Sequence, residues 1–395
     1  MTLRKTRTFL TTVALLWLAG AGLRLTILAV PPLLPLIRSE LHLSATAVGL
    51  LVSLPVLLFS LAALPGSLLI ARLGIRRTLV GGLLIVAFGA ALRGVSPNAA
   101  TLFGATIVMG FGVAIMQPSM PTTVRQWLPD HLGFGTATYS NGLIIGQLIP
   151  TIVTIPLVLP WLHGNWRLAL AVWSIPVALT ALLVAALAPR PAAAAASAPT
   201  ANRGAQWWPD WKNSLVWRLG ALLGSANAIY FSSNAFLPVY LVDSGRPDLV
   251  ASAVTALNLG QIPASFLLLI FAGKLERRAW PYFVAGALLL VSVLGLVFAV
   301  GKWTPLCAAV LSFATGSGLI LGLSLPPLLS APGDVARNSA AMFTVSYGGA
   351  VLVALVSGAA WDLAGIPRLA FGPIGLCAIL LLVSAAVMFR KRELL

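Results

Sequence analysis

The chain has 395 residues, of which 59% are hydrophobic and only 9% are charged, and its mean hydropathy is +0.98. These values exclude a soluble globular domain of ordinary composition and predict an all-α polytopic membrane protein. The formal net charge of +16 does not indicate a nucleic-acid ligand. The Lys and Arg residues lie mostly in short gaps between apolar blocks, where they act as orientation signals.

The apolar blocks divide into twelve predicted transmembrane helices, since each block is long enough for the roughly 20 residues that a span needs. The first six are predicted near 9–37, 44–70, 78–95, 100–122, 133–160 and 166–188. The last six are predicted near 213–242, 249–272, 280–300, 304–330, 338–360 and 367–389.

An Ala- and Pro-rich stretch separates the two sets of spans. It reads PRPAAAAASAPTANRGAQWWPD from Pro189 and has too little large apolar surface for a core of its own. The predicted organisation is therefore an N-terminal six-helix half (1–188), a linker (189–212) and a C-terminal six-helix half (213–395). Basic loops recur at equivalent places, which indicates two pseudo-symmetric halves.

The basic residues also predict an orientation. Most of them fall on the face that holds both termini and the linker, so the positive-inside rule places all three in the cytoplasm. Both termini on one side require an even number of spans, which agrees with twelve.

Groups for proton relay or catalysis are missing from the predicted spans. All nine acidic residues and all three histidines fall in loops or at span ends, although proton-coupled carriers relay protons through such groups inside the membrane. We therefore expect uncoupled transport, exchange, or a substrate that brings its own proton. Phosphate-loop and HExxH motifs are absent and the two cysteines lack CxxC spacing, so no enzymatic activity, cofactor or metal is expected.

Arg24 lies inside the first predicted span, where an arginine costs at least about 2.5–3.5 kcal/mol. If this span is helical throughout, one face carries Trp17, Ala21, Arg24, Leu28 and Pro31, and this face is predicted to look into the bundle. The favoured interpretation is that an anionic or strongly dipolar substrate offsets the charge. The alternative is that Arg24 snorkels to the outer surface or caps nearby carbonyls.

Other polar residues at depth are predicted to complete a substrate site. The candidates are Gln117 and Tyr139 in the first half and Asn227, Tyr230, Asn234 and Tyr347 in the second, and further polar residues at depth are Asn141, Gln147, Asn258 and Gln261. The spacing of Asn227, Tyr230 and Asn234 places these three on one helix face. Interhelical hydrogen bonding is the alternative role for each of them.

Two more arginines lie close to predicted membrane boundaries. Arg93 is near the outer end of the third span and Arg167 is at the start of the sixth. Both are expected to be interface anchors rather than site residues.

The two-times-six layout with a long central loop resembles the major facilitator superfamily. Its signature loop is similar to SLLIARLGIRR, in which Arg72, Gly74, Arg76 and Arg77 match and Ala71 replaces the usual Asp. The resemblance implies that this loop is a cytoplasmic gate.

Within the superfamily, the chain resembles the cyanate and 2-nitroimidazole transporter (CynX/NimT) group. The resemblance runs through GLRLTILAVPPLLPLI, QPSMPTTVRQWLPDHLGFGTATYSNG, NAIYFSSNAFLPVYLVDSG and AAMFTVSYGGA. The group typically has Asn-Leu-Arg-Pro where this chain has Gly22-Leu23-Arg24-Leu25. The arginine is kept, while its neighbours differ.

This resemblance implies an alternating-access secondary transporter of a small anion or small polar nitrogen compound, cyanate- or nitrate-like or nitroimidazole-like. The substrate is expected in a central cavity between the halves, with Arg24 as the main charge. The expected setting is a monomer in the lipid bilayer of a bacterial inner membrane. An efflux carrier for hydrophobic drugs and a non-transporting membrane sensor are the alternatives.

Overall fold

The structure is a computed structural model that describes residues 3–43, 45–189, 207–299 and 301–390. Most of the predicted linker (189–212) lies outside these residues. The regular structure of the described residues is helical throughout and contains no strand. This confirms the prediction of an all-helical protein.

The chain divides into two compact units. The first comprises Met1–Pro209 and Ser330–Ala340, and the second comprises Asp210–Leu329 and Ala341–Leu395. The boundary after Pro209 falls within the predicted linker, whereas the assignment of Ser330–Ala340 to the first unit has no counterpart in the sequence prediction. The six-helix halves 1–188 and 213–395 stay a prediction.

Ten α-helices lie within the described residues before the predicted linker. They are α1 (Leu3–Gly22), α2 (Leu34–Leu41), α3 (Ala45–Leu61), α4 (Ala63–Leu73), α5 (Ile75–Arg93), α6 (Ala99–Trp127), α7 (Leu132–Val153), α8 (Leu159–Trp161), α9 (Trp166–Val172) and α10 (Ser174–Leu187).

Seven α-helices follow, and the first residues of α16 belong to the first unit. They are α11 (Ser214–Asp243), α12 (Val250–Leu259), α13 (Gln261–Leu275), α14 (Trp280–Phe298), α15 (Thr304–Leu329), α16 (Val335–Ala364) and α17 (Phe371–Arg390).

Within the described ranges, nine helical stretches are long and apolar enough to cross a membrane. The pair α3 and α4, bent by 52°, raises this number to ten. The apolar part of α1, Arg7–Gly22, is shorter than a full span, and α11 is not among the ten. The protein is therefore a multi-pass membrane protein, while the number twelve stays a prediction.

The first predicted span is not one helix, because α1 ends at Gly22 and regular structure resumes only at the 3-10 turn Pro31–Leu33. Proline has no N–H and its ring clashes with the carbonyl four residues earlier, so Pro31 and Pro32 together disrupt a full turn. The helical face predicted from Trp17 to Pro31 is therefore wrong beyond Gly22.

Glycines bring α1 and α7 into backbone contact. A Cβ atom on Gly20 would lie 2.0 Å from the carbonyl oxygen of Tyr139, and one on Gly142 would lie 2.1 Å from that of Trp17. Small residues permit such close approach of membrane helices. The same interface contains the hydrogen bond from Trp17 Nε1 to Asn141 Oδ1, at 2.8 Å. These contacts hold the end of α1, and hence the start of the interrupted region, against α7.

Candidate functional site

The interrupted part of the first span, residues Leu23–Val30, is called the unwound segment below. Its backbone hydrogen bonds mix three- and four-residue spacings, for example from Arg24 to Ala21 and from Leu28 to Arg24. The amides of Thr26 and Ala29 donate to no backbone carbonyl among the described residues, and both residues are fully buried. Interrupted helices of this kind expose backbone polar groups, and in transporters they form substrate sites.

Arg24 lies in the unwound segment and is buried, with 7% of its surface exposed. Its guanidinium carbon lies 5.1 Å from the centre of the Phe59 ring on α3. A cation over an aromatic face is favourable by about 0.5–2 kcal/mol. The snorkelling alternative for Arg24 is therefore wrong, since the side chain points into the first unit.

Arg93, the last residue of α5, is fully buried, so the prediction of an interface anchor is wrong. Its Nη2 donates a hydrogen bond of 2.6 Å to the carbonyl oxygen of Thr26. This bond satisfies a carbonyl that the interruption of the helix leaves without a backbone partner. The sequence signal that could have identified Arg93 is its lack of any nearby acidic residue.

Arg167 is partly exposed and pairs with the carboxylate of Glu40 at the end of α2. Its Nε donates to the Ser96 carbonyl at 2.8 Å, and its guanidinium lies over the Trp166 ring at 4.4 Å. Trp166 Nε1 also donates to Glu40, at 2.6 Å. The hydrogen bonds from Arg167 and Trp166 lower the pKa of Glu40. This cluster connects the end of α2 to the start of α9.

The two other first-half candidates lie on helices that pack against α1. Gln117 is buried in α6 and Tyr139 is buried in α7. The backbone of Tyr139 is the group that Gly20 approaches. Tyr139 therefore lies beside the helix that leads into the unwound segment.

In the second unit, the three α11 candidates contact two different helices. Asn227 is buried and donates from Nδ2 to Ser346 Oγ on α16, at 2.8 Å. Tyr230 donates from its hydroxyl to Asn258 Oδ1 on α12, at 3.0 Å. Asn258 Nδ2 in turn donates to Asn234 Oδ1, at 3.2 Å. These bonds match the alternative role of interhelical partner, and they include Asn258, which the sequence also places among the polar residues at depth.

Tyr347 is buried on α16 within a group of aromatic rings. Its ring stacks on that of Phe343, with centroids 6.0 Å apart, and lies 6.3 Å from the Phe231 ring on α11. The ring packing places Tyr347 beside the helix face that carries Tyr230.

The loop predicted as a cytoplasmic gate joins α4 to α5. Gly74 has a φ of 80°, which favours glycine, and it turns the chain between the two helices. Arg72 and Arg77 are exposed, while Arg76 Nη2 donates to the carbonyl of Ala185 on α10. The gating role of this loop stays a prediction.

The sequence reasoning also missed the burial of Glu276, just beyond α13. Its carboxylate is only 4% exposed, and burial raises its pKa to about 7 against the lowering effects of Arg277 and Ser324. The Tyr282 hydroxyl donates to the Glu276 carbonyl at 3.1 Å. No group of three or more His, Cys, Asp or Glu side chains in the described part of the chain could hold a metal ion.

Comparison with known proteins identifies the group to which these features belong. The family model of the Major Facilitator Superfamily matches residues 16–356. The cyanate transport protein CynX of Escherichia coli is 29% identical over 78% of this chain and 77% of its own length. The 2-nitroimidazole transporter of the same organism is 27% identical over 76% of this chain and 75% of its own.

A solved structure also matches. The proton:xylose symporter XylE superposes with a TM-score of 0.77, covering 98% of this chain and 96% of that chain at 14% identity. At this identity the likeness concerns the fold alone.

Proposed function

Because the chain belongs to the major facilitator superfamily of secondary transporters, we propose that it carries a small anion or small polar nitrogen compound and that Arg24 binds it. The substrate class is cyanate- or nitrate-like, or nitroimidazole-like. The observation that carries this proposal is the position of a buried arginine within an interrupted transmembrane helix.

The chemistry of the unwound segment supports an anionic or dipolar ligand. Arg24 supplies a permanent positive charge and several N–H donors. The amides of Thr26 and Ala29 add backbone donors that no backbone carbonyl of the described residues accepts. Charge-assisted hydrogen bonds from such donors are about twice as strong as neutral ones. The buried charge of Arg24 is therefore the feature of this segment that favours an anion or a dipole.

The relatives support the same class of substrate. One is named for cyanate, a small anion, and the other for 2-nitroimidazole, a small polar nitrogen heterocycle. The sequence segment that contains Arg24 is among those that resemble this group. We further propose that Gln117, Tyr139, Asn227, Tyr230, Asn234 and Tyr347 orient the ligand during alternating access.

The proposal includes a location and a state of assembly. We propose a monomer in the bacterial inner membrane, and the distribution of basic residues supports a cytoplasmic position for both termini and the linker. Protease accessibility of tags at the two termini in sealed inverted vesicles tests the orientation.

Uptake of labelled cyanate and nitrate into proteoliposomes tests the function. We expect wild-type protein to equilibrate one of these anions and Arg24→Gln to be slower by about 10- to 100-fold, since a charged hydrogen bond contributes about 1.5–3 kcal/mol. Arg24→Lys keeps the charge and is expected to retain part of the rate. Arg167→Gln is the matched control, because it removes an arginine of the same unit outside the unwound segment.

Two results would contradict the proposal. Wild-type anion uptake by Arg24→Gln would remove Arg24 from the site. Absence of flux for every small solute, with a thermal unfolding transition that shows intact folding, would reject the carrier itself.

A further inference from the structure

Arg93 has donor groups that the described residues leave without acceptors. Only its Nη2 makes a hydrogen bond, to the Thr26 carbonyl at 2.6 Å. Its Nε and Nη1 are buried and have no partner among the described residues, and the residue is fully buried. A buried donor without an acceptor is destabilising, and more so when it is charged. These two guanidinium nitrogens therefore lack an acceptor among the described residues.

Thr26 also has buried polar groups without hydrogen-bond partners in the described part of the chain. Its hydroxyl oxygen is fully buried and has no hydrogen-bond partner in the described ranges, and its amide makes no backbone hydrogen bond there. The carbonyl of Thr26 is already occupied by Arg93. Thr26 therefore has a hydroxyl that can donate and an amide without a backbone acceptor among the described residues, next to the carbonyl that Arg93 binds.

The charge of Arg93 is not balanced by a carboxylate. The ion pairs of the described residues involve Arg167, Arg246 and Arg337, and none involves Arg93. The position of Arg93 at the end of α5 offers the negative end of a helix dipole, equivalent to about half a charge. A buried charge without a full counter-charge costs several kcal/mol.

We propose that Arg93 and Thr26 form a second anion-binding position, separate from that of Arg24, which takes a small monovalent inorganic anion such as chloride. The anion accepts hydrogen bonds from Arg93 Nε or Nη1 and from the Thr26 hydroxyl, and it neutralises the guanidinium. Donors without acceptors, combined with an unbalanced positive charge, select an anion over a cation or a neutral solute. The unwound segment has no regular hydrogen-bond ladder to break when the anion enters.

This position has a consequence for the carrier. Thr26 lies two residues after Arg24 in the unwound segment, so an anion at Arg93 fixes the backbone that presents Arg24. Binding at one position is therefore expected to change affinity at the other, and the change must be reciprocal.

Thermal unfolding of the purified full chain in detergent tests the proposal. Chloride is titrated at constant ionic strength, with gluconate as the replacing anion. We expect the wild-type unfolding midpoint to rise and saturate with chloride, as for any ligand that binds the folded state. Arg93→Gln is expected to lose the rise, and Arg24→Gln is expected to keep it.

Thr26→Val is a second test that does not depend on whether Arg93→Gln folds. It keeps the side-chain shape and removes only the hydroxyl. We expect it to raise the half-saturating chloride concentration at least tenfold. Arg93→Lys keeps the charge and is expected to retain a weakened rise.

Three outcomes would overturn the proposal. The first is a wild-type midpoint that does not respond to chloride. The second is an Arg93→Gln protein that is less stable than wild type by the same amount at every chloride concentration. This result is expected if Arg93 only stabilises the fold and binds no chloride. The third is a chloride response that disappears in Arg24→Gln and persists in Arg93→Gln, which would place the anion at Arg24 alone. A failure of Arg24→Gln to affect transport would contradict the proposed function and leave this position untouched.

Discussion

The first long helices of the two units differ in continuity. The helix α1 stops at Gly22 and is followed by the unwound segment, whereas α11 runs without interruption for 30 residues from Ser214 to Asp243. Two successive prolines, Pro31 and Pro32, follow the interruption, while α11 contains the single Pro238. A single proline removes one hydrogen bond, which a membrane helix tolerates, but two in succession remove neighbouring bonds.

The polar groups of the two regions differ in the same way. On α11, Tyr230 and Asn234 are matched with Asn258, and Asn227 with Ser346, so donors meet acceptors. Around the unwound segment, by contrast, the two buried arginines Arg24 and Arg93 bring positive charge, and no ion pair of the described residues involves Arg93. We therefore assign the proposed anion to the unwound segment and neutral hydrogen bonding between helices to α11.

The largest difference in stability is expected at the helix contacts. Gly142→Ala places a Cβ atom 2.1 Å from a backbone oxygen of α1, so α1 or α7 must move. We expect a loss of about 3 kcal/mol, the upper range for overpacking. Gly224→Ala on α11 meets Ser346 Cα at 3.1 Å and is expected to cost about 1 kcal/mol or less.

Thermal unfolding in detergent measures both effects. Gly104→Ala is the control, because a Cβ atom there meets nothing within 4 Å and alanine favours the helix. If Gly142→Ala and Gly224→Ala have the same unfolding midpoint, the closer backbone approach between α1 and α7 does not make the first unit more sensitive to an added methyl group.

The second prediction concerns the interruption itself. The double variant Pro31→Ala, Pro32→Ala restores two backbone donors and lets α1 continue as α11 does. Because the helix then uses the amides of Thr26 and Ala29 internally, we expect anion uptake to fall at least tenfold, about 1.4 kcal/mol. Pro238→Ala in the uninterrupted α11 is the control and is expected to retain most activity. Equal rates for the double variant and wild type would show that the interruption has no part in transport.

The fold followed from the sequence to a large extent. Hydropathy and apolar block length identified an all-helical membrane protein, and the resemblance to the major facilitator superfamily is confirmed. The interruption of the first span was not predicted, since a proline does not by itself break a membrane helix. Pro118, Pro121 and Pro238 all lie inside continuous helices.

The site was less predictable, because burial depends on contacts between distant segments. Arg93 follows an apolar block and so has the sequence signature of a boundary residue, but the chain around Thr26 covers it. Glu276 is similarly a helix-end residue whose burial arises from α14 and α15, beside Tyr282 and Ser324. Arg24, by contrast, was identified because its apolar context alone makes a charge costly.

The smallest expected effect lies in the α11 network. Tyr230→Phe removes one hydrogen bond, to Asn258, and leaves the ring in place. Hydrogen bonds between membrane helices contribute about 0.6 kcal/mol on average, so we expect a loss of stability of this size and a change in uptake of less than about tenfold.

A double-mutant cycle with Asn258→Ala isolates the energy of the Tyr230–Asn258 pair. A coupling energy near zero would remove the bond from the stability of the second unit. A loss of uptake as large as that expected for Arg24→Gln would instead show that α11 contributes to substrate binding as strongly as the unwound segment, and the contrast between the two regions would then not hold.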